Sequence, residues 1–124
     1  DMDSVDFWVW KALNVIQPRV VVLEIQAVWG ANRSVTIPNK EKPREIHPDY
    51  YGASLPAFIK LAREKGYRFV GMNKYGYNAF FIKNGIGEDA LPEKSPSDYF
   101  NHLRAQYYME ERLVNVAHLE WLEV

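Results

Sequence analysis

The apolar run from Val20 to Ile25 constrains the fold of this sequence more than any other segment. It is rich in β-branched residues, is interrupted only by Glu24, and does not alternate between apolar and polar positions. Continuous runs of this kind are typical of strands buried on both faces, as in a parallel sheet covered by helices. The run therefore predicts a parallel-type strand in an α/β protein.

Two segments before and after this run carry clear helix signals. The first begins at Ser4 or Asp6, either of which is a suitable N-cap, and ends before Pro18 because the residue preceding a proline avoids helical geometry. The second runs from the N-cap residue Ser54 to the helix-terminating Gly66, with apolar residues at helical spacing between them. Both helices are expected to flank the sheet.

A β-hairpin is predicted after the second helix, with strands at Tyr67–Met72 and Asn78–Lys83. Residues 97–124 are expected to form a helical C-terminal extension whose helix begins at the N-cap residue Ser97. The order of elements predicts a small mixed sheet, made of one parallel-type strand and an antiparallel hairpin, flanked by helices. We expect residues 1–124 to be a single, partial α/β domain, because no strand leads into the acidic segment at its start.

Composition excludes several classes of function. The net charge of -1 gives no electrostatic attraction to nucleic acid or to anionic membranes. No apolar run is long enough to span a bilayer, and nothing resembles a signal peptide. The chain has no cysteine, which removes thiolate nucleophiles and cysteine-based zinc sites and fits a reducing cytoplasm. We expect a cytoplasmic protein without a nucleic-acid or membrane partner.

Five segments carry a common pattern, at residues 1–13, 18–24, 51–55, 66–71 and 78–81. They contain an acidic Asp-Met-Asp-Ser-Val start, the valine run, Tyr-Gly-Ala-Ser-Leu, Gly-Tyr-Arg-Phe-Val-Gly and Asn-Ala-Phe-Phe. Together they resemble the second half of class I, S-adenosylmethionine-dependent methyltransferase-like domains, in particular the FkbM-like methyltransferases. In such proteins an Asp-x-Asp segment follows the fourth strand, and a helix, the fifth strand, another helix and an antiparallel hairpin come next. The resemblance implies a partial Rossmann-like fold.

The same resemblance implies that this chain lacks the cofactor site. In the family the cofactor lies on a glycine-rich loop after the first strand, with an acidic residue after the second strand. A nucleoside cofactor needs a close approach of the backbone that only such a loop permits. We expect no cofactor for this chain alone, although S-adenosylmethionine is implied for the full-length family. Ser4 departs from the family pattern, because glycine is expected in a tight turn at this position.

Three carboxylates, Asp1, Asp3 and Asp6, surround the start of the first helix. Asp3 is a candidate for orienting a substrate hydroxyl or holding a divalent cation, whereas Asp6 is better explained by stabilisation of the helix N-terminus. Asp1 and Asp3 also resemble the nucleophile loop of haloacid-dehalogenase-like phosphohydrolases. A magnesium-dependent phosphohydrolase is therefore a weaker alternative, since Asp6 falls where that loop usually has an apolar residue.

Three further residues are candidates for substrate binding. Glu24 lies late in an apolar strand, and ligands of α/β sheets gather beyond the carboxyl ends of strands. An ion pair with an arginine such as Arg33 or Arg68 explains a buried carboxylate equally well. Asn73 and Asn78 flank the predicted hairpin turn and can line a polar site, although ordinary turn chemistry also favours asparagine there.

We expect the chain to be the acceptor-side half of a methyltransferase-like domain for a small molecule with a hydroxyl group, and not to be catalytically competent by itself. The alternative is a non-catalytic, homo-oligomeric α/β binding module. The apolar edge of the strand at residues 20–25 would be open if its usual neighbour is absent, and such edges must be covered. We therefore expect a homodimer through this edge, with help from Trp8 and Trp10.

Overall fold

The computed structural model describes residue 2 and residues 4–39, 43–101 and 103–124. In chain order its helices and strands are α1 (Asp6–Ala12), β1 (Val20–Glu24), β2 (Val35–Thr36), α2 (Leu55–Glu64), β3 (Tyr67–Met72), β4 (Asn78–Lys83), α3 (Leu103–Tyr107) and β5 (Leu122–Glu123). None of the helices that the described residues form has the length and apolar character needed to cross a bilayer.

A three-stranded sheet in the order β1-β4-β3 forms the centre of this small α/β protein. The predicted hairpin is confirmed, because β3 and β4 pair antiparallel at the predicted bounds. The prediction of a parallel-type first strand is wrong, since β1 also pairs antiparallel with β4, placing Val22 opposite Phe80. Because β4 is antiparallel to both neighbours, β1 and β3 run in the same direction on either side of it.

The burial of β1 also differs from the prediction. Val20 and Val22 are each 51% exposed, whereas Leu23 and Ile25 are buried. Side chains of a strand alternate between the two faces of its sheet, and only one face of β1 is fully covered. A continuous apolar run therefore marks an edge strand here, and sequence alone does not distinguish that case from a strand buried on both faces.

Helix α1 is shorter than predicted, because it ends at Ala12 rather than continuing toward Pro18. The carboxylate of Asp6 accepts hydrogen bonds from the backbone N–H groups of Met2 (3.2 Å) and Ser4 (3.4 Å), so it fixes the turn that leads into the helix. At the other end, the Lys65 ammonium donates to the carbonyl oxygen of Leu13 at 3.0 Å. A cation at a helix C-terminus is stabilised by the helix dipole.

Helix α2 is confirmed together with its end signals. The Ser54 hydroxyl accepts a hydrogen bond from the N–H of Ala57 at 3.3 Å, as an N-cap does. The same oxygen accepts from the N–H of Val35 at 3.0 Å, which ties the start of α2 to β2. Gly66 adopts a φ of 81°, the left-handed conformation that ends many helices.

An aromatic core joins both helices to one face of the sheet. The Trp10 ring lies 5.5 Å from the ring of Phe81 and 6.4 Å from that of Phe58. Trp8 turns instead toward the long loop, where its indole N–H donates to the carbonyl of Ile37 at 2.9 Å. The expectation that these tryptophans cover the β1 edge is therefore not supported by their main contacts.

The C-terminal segment is not the single helix predicted from Ser97. Ser95 caps a 3-10 turn, and α3 then continues into a π-helical turn at Tyr108–Arg112 and a further 3-10 turn. Antiparallel pairing of β5 with β2 brings the segment back across the molecule. Tyr108 and Val116 are buried, so this segment contributes to the core, and β5 forms with β2 a second, two-stranded sheet.

Candidate functional site

Glu24 and Asn78 are directly opposite each other at the carboxyl end of β1. Asn73 lies beside them, because its backbone N–H donates to the carbonyl of Asn78 at 3.0 Å. The structure therefore brings together three of the four predicted site residues. The fourth, Asp3, lies outside the described residues.

The side chain of Asn73 serves the hairpin turn. Its Oδ1 accepts hydrogen bonds from the backbone N–H groups of Tyr77 (3.0 Å) and Asn78 (3.2 Å). This is the usual role of asparagine in a turn. Asn73 thus holds the rim of the site, and the half-buried Asn78 is the better candidate for contact with a ligand.

Glu24 forms an ion pair with Arg44, which the sequence did not indicate. An Nη atom of Arg44 donates to Oε2 of Glu24 at 3.1 Å, and the guanidinium lies 4.0 Å from the centre of the Tyr51 ring. Neither arginine proposed from the sequence fills this role. Arg33 pairs with Glu123. Arg68 lies on β3, where its buried side chain donates to backbone carbonyls such as that of Leu91.

Tyr51 is buried beneath this ion pair, with 8% of its surface exposed. Burial raises the pKa of Tyr51 to about 12, the Glu24 carboxylate adds to the increase, and the Arg44 guanidinium opposes it. The phenol therefore stays protonated at neutral pH and remains a hydrogen-bond donor. The site therefore contains both hydrogen-bond acceptors and hydrogen-bond donors. We call the four residues Glu24, Arg44, Tyr51 and Asn78 the β1 polar cluster.

A second group of arginines and tyrosines adjoins the β1 polar cluster. The hydroxyls of Tyr77 and Tyr108 share a short hydrogen bond, which raises the pKa of Tyr77. Arg104 donates to the Tyr77 hydroxyl at 3.3 Å, and its guanidinium lies within 5.9 Å of the Tyr108 ring centre. The Arg112 guanidinium lies 4.8 Å from the centre of the Tyr108 ring and forms an ion pair with Asp49.

Sequence reasoning missed this second group, although a signal was present. Arg104, Tyr108 and Arg112 recur at intervals of four residues, which places them on one side of a helical segment. Their meeting with Tyr77 depends on the return of the C-terminal segment, which the spacing by itself does not show.

A buried glutamine fastens the long loop to the end of the sheet. The side-chain amide of Gln26 donates to the carbonyl of Asp49 at 2.6 Å and accepts from the N–H of Val28 at 3.2 Å. These bonds satisfy a polar group that is 3% exposed and hold Asp49 where Arg112 reaches it. The loop backbone at Asp49 is therefore held beside the site by hydrogen bonds.

Acidic residues in this region are paired with arginines. Glu24 pairs with Arg44 and Asp49 with Arg112, and the described residues contain no group of three potential ligands that could hold a metal ion. Asp1 and Asp3 lie outside the described residues, so the phosphohydrolase alternative stays a prediction. The side chains of the β1 polar cluster can form hydrogen bonds with a polar ligand, both as donors and as acceptors.

Comparisons of the chain with protein-family models, with characterised proteins and with solved structures found no match.

Proposed function

We propose that this chain is the acceptor-side half of an S-adenosylmethionine-dependent methyltransferase-like domain, with a partial Rossmann-like fold. In this role it binds and orients a small hydroxylated molecule and does not transfer a methyl group by itself. A cytoplasmic location belongs to the same proposal and fits the absence of cysteine.

The position of the β1 polar cluster is the observation that carries the proposal. Glu24, at the carboxyl end of β1, pairs with Arg44 and lies opposite Asn78, the first residue of β4. In the Rossmann-like fold that we propose, β1 would be a parallel strand of the complete sheet, and ligands of such sheets gather beyond the carboxyl ends of the parallel strands. The order of elements supports it further. From Asp6 the chain forms α1, β1, the two-residue strand β2, α2 and the β3–β4 hairpin. Apart from β2, this is the order of helix, strand, helix and hairpin that the resemblance implies.

The backbone at Ser4 gives separate support. Ser4 adopts a φ of 145°, and it is the one residue other than glycine with positive φ in the part of the chain that the structure describes. Such a conformation favours glycine, because a Cβ atom is crowded there. A glycine is what the resemblance leads us to expect at this position.

We propose no cofactor site among the described residues and assign no step of methyl transfer to them. The two closely spaced glycines Gly85 and Gly87 follow β4, but the N–H of Gly85 already donates to the Glu88 carboxylate at 2.8 Å. An acidic side chain at that point repels the carboxylate of the cofactor.

Acceptor binding follows from the polarity of the cluster. A substrate hydroxyl can donate to the Glu24 carboxylate while it accepts from the side-chain amide of Asn78. Arg44 holds Glu24 in one orientation, and the neutral Tyr51 phenol supplies a further donor. Holding the acceptor in a fixed orientation is the contribution that such a half makes to catalysis.

The test is a titration of the isotope-labelled chain with small polyhydroxylated molecules, such as monosaccharides, followed by nuclear magnetic resonance. We expect saturable shifts at Glu24 and Asn78, with a dissociation constant of roughly millimolar. Glu24→Gln should weaken binding severalfold, because the neutral amide loses the charge-assisted hydrogen bond to the substrate hydroxyl and the ion pair with Arg44. The control Glu93→Gln, at an exposed ion pair with Arg63, should bind normally.

Calorimetry distinguishes the alternatives. We expect no heat with S-adenosylmethionine alone and none with Mg²⁺ alone. Stoichiometric binding of the cofactor would show that this half is not the acceptor side, and Mg²⁺-dependent phosphatase activity would favour the Asp1 and Asp3 alternative. Acceptor shifts that are absent from the carboxyl end of β1 would leave the second candidate, a non-catalytic homo-oligomeric module, which the open edge of β1 favours.

A further inference from the structure

We propose that the free edge of β1 and the groove beside it form a homodimer interface, in which β1 pairs antiparallel with β1 of a second copy. The inference goes beyond acceptor binding and does not depend on it. It rests on the hydrogen-bonding groups of the edge, on the apolar surface around it and on the covered state of the other sheet edge.

The hydrogen bonds of β1 show which backbone groups face outward. The carbonyl of Arg19 accepts from Lys83 at 3.0 Å, and the N–H of Ile25 donates to Tyr77 at 2.7 Å, so odd-numbered residues face β4. In an antiparallel ladder these groups alternate in direction along the strand. The N–H and C=O groups of Val20, Val22 and Glu24 therefore point away from the sheet, at an edge that no described strand pairs.

The free edge ends near the carboxyl end of β1. The N–H of Gln26 donates to the carbonyl of Ala53 at 2.8 Å, and the N–H of Gly52 donates to the carbonyl of Ser4 at 3.1 Å. These contacts cover the edge just beyond Glu24. The amino-terminal part of the edge, around Val20 and Val22, has no neighbouring strand among the described residues. Only a short strand fits there.

Apolar side chains are exposed on both faces of this edge. Val20 and Val22 are half exposed on the face away from the helices, and Ile16 (58%) and Val9 (38%) are exposed on the helix face. Between α1 and β1 lies a groove of about 480 Å³, lined in part by Val9, Leu13 and Ile16. Extension of the sheet by one more strand is the arrangement that buries both faces together.

A second copy fits this surface because the edge is complementary to itself. A two-fold axis at Val22 places Val22 opposite Val22 of the second copy and Val20 opposite Glu24, and it forms roughly four to six hydrogen bonds between the strands. The same axis brings the two α1 helices together over the two grooves. No side chain of opposite charge is required, which matches an edge whose exposed residues are valines.

The other sheet edge explains why such pairing stops at two copies. The carbonyl of Phe69 on the outer side of β3 accepts from the N–H of Lys94 at 2.9 Å, so the following segment covers that edge. With one edge covered and one free, the contact is isologous and closes on itself. The expected product is a dimer with a continuous six-stranded sheet.

Sedimentation and light scattering of the purified chain at micromolar concentration test the proposal. We expect twice the chain mass of 14.5 kDa. Val22→Pro removes an N–H that faces outward, which an edge strand tolerates, and should yield a folded monomer. Val22→Lys places like charges across the axis and should raise the dissociation constant roughly 100-fold or more.

Val15→Lys is the matched control, since Val15 is 89% exposed but does not line the groove, and it should remain a dimer. A wild-type monomer with slow amide exchange at Val20 and Val22 would overturn the proposal, because the chain would then cover its own edge. So would a dimer that both Val22 variants leave intact, or a monomer that pairs only with a different polypeptide. Acceptor titration of the Val22→Lys monomer reports on the proposed function separately.

Discussion

The two edges of the three-stranded sheet are treated differently by the same chain. On the β3 side, the segment after β4 turns back, and Lys94 bonds to the carbonyl of Phe69. On the β1 side, the described residues cover the edge only near Gln26, and Val20 and Val22 stay half exposed. An unpaired edge invites another strand, so the difference indicates where this molecule is closed and where it is available for association.

Arg68 fastens the covered edge and gives the largest expected effect on stability. Its buried guanidinium donates to the carbonyls of Leu91 (3.1 Å), Lys83 (3.1 Å) and Ile86 (2.6 Å). Arg68→Met should lower the free energy of unfolding by about 3 kcal/mol, because these carbonyls lose a charged donor inside the protein. Urea denaturation measures this change.

The control for Arg68 is Arg63→Met, which removes an exposed ion pair with Glu93. We expect a change below about 0.5 kcal/mol there. Equal effects of the two substitutions would mean that the buried arginine does not hold the segment over the β3 edge, and the contrast between the edges would lose its basis.

Tyr51, at the carboxyl end of β1, predicts how stability depends on pH. Its pKa is about 12 in the folded protein against 10.0 for a free tyrosine, so the folded state holds the proton more tightly. The contribution of Tyr51 to the free energy of unfolding is fully present below pH 10.0 and is lost as the pH rises toward about 12. The loss should reach about 2–3 kcal/mol and be absent in Tyr51→Phe.

Thermal unfolding across this pH range compares wild type with Tyr51→Phe. Tyr107→Phe, at a tyrosine that is 55% exposed, should follow the wild-type curve. Parallel curves for wild type and Tyr51→Phe would show that the phenol is solvated, and the site would then be more open than its burial indicates.

Ser4 lies near the carboxyl end of the open β1 edge, and its substitution gives the smallest expected effect on stability. Ser4→Gly should raise the free energy of unfolding by about 1 kcal/mol, because glycine adopts positive φ without strain. The hydroxyl, which is buried and makes no hydrogen bond within the described part of the chain, is removed as well. Ser97→Gly, at a residue with ordinary backbone geometry, should destabilise instead, and the same sign for both would contradict the assigned strain.

Local signals predicted the parts of the fold that depend on neighbouring residues. Ser54 and Gly66 delimit α2, and the turn before Asn78 delimits the hairpin, because caps and turns are set by a few adjacent side chains. The direction of β1 was not predictable in this way. It depends on pairing with β4, which lies far along the chain, and an apolar run is compatible with either direction.

The candidate site divides along the same line. Glu24 and Asn78 were predicted because each sits at a strand end, a position that the sequence shows. Arg44 reaches Glu24 through the path of the long loop, and Tyr108 reaches Tyr77 through the returning C-terminal segment. Those paths are set by tertiary packing, so no short sequence window contains them.

The pairing of β2 with β5 has a consequence for the order of events in folding. Arg33 and Glu123, which bond beside this ladder, are 90 positions apart, whereas β3 and β4 are joined by a single turn. Closing a long loop costs more entropy and is slower, so the hairpin should acquire slow-exchanging amides before Leu122 does. Tyr108 and Arg112 belong to the same C-terminal segment, so their contacts with Tyr77 and Asp49 should form only after the hairpin.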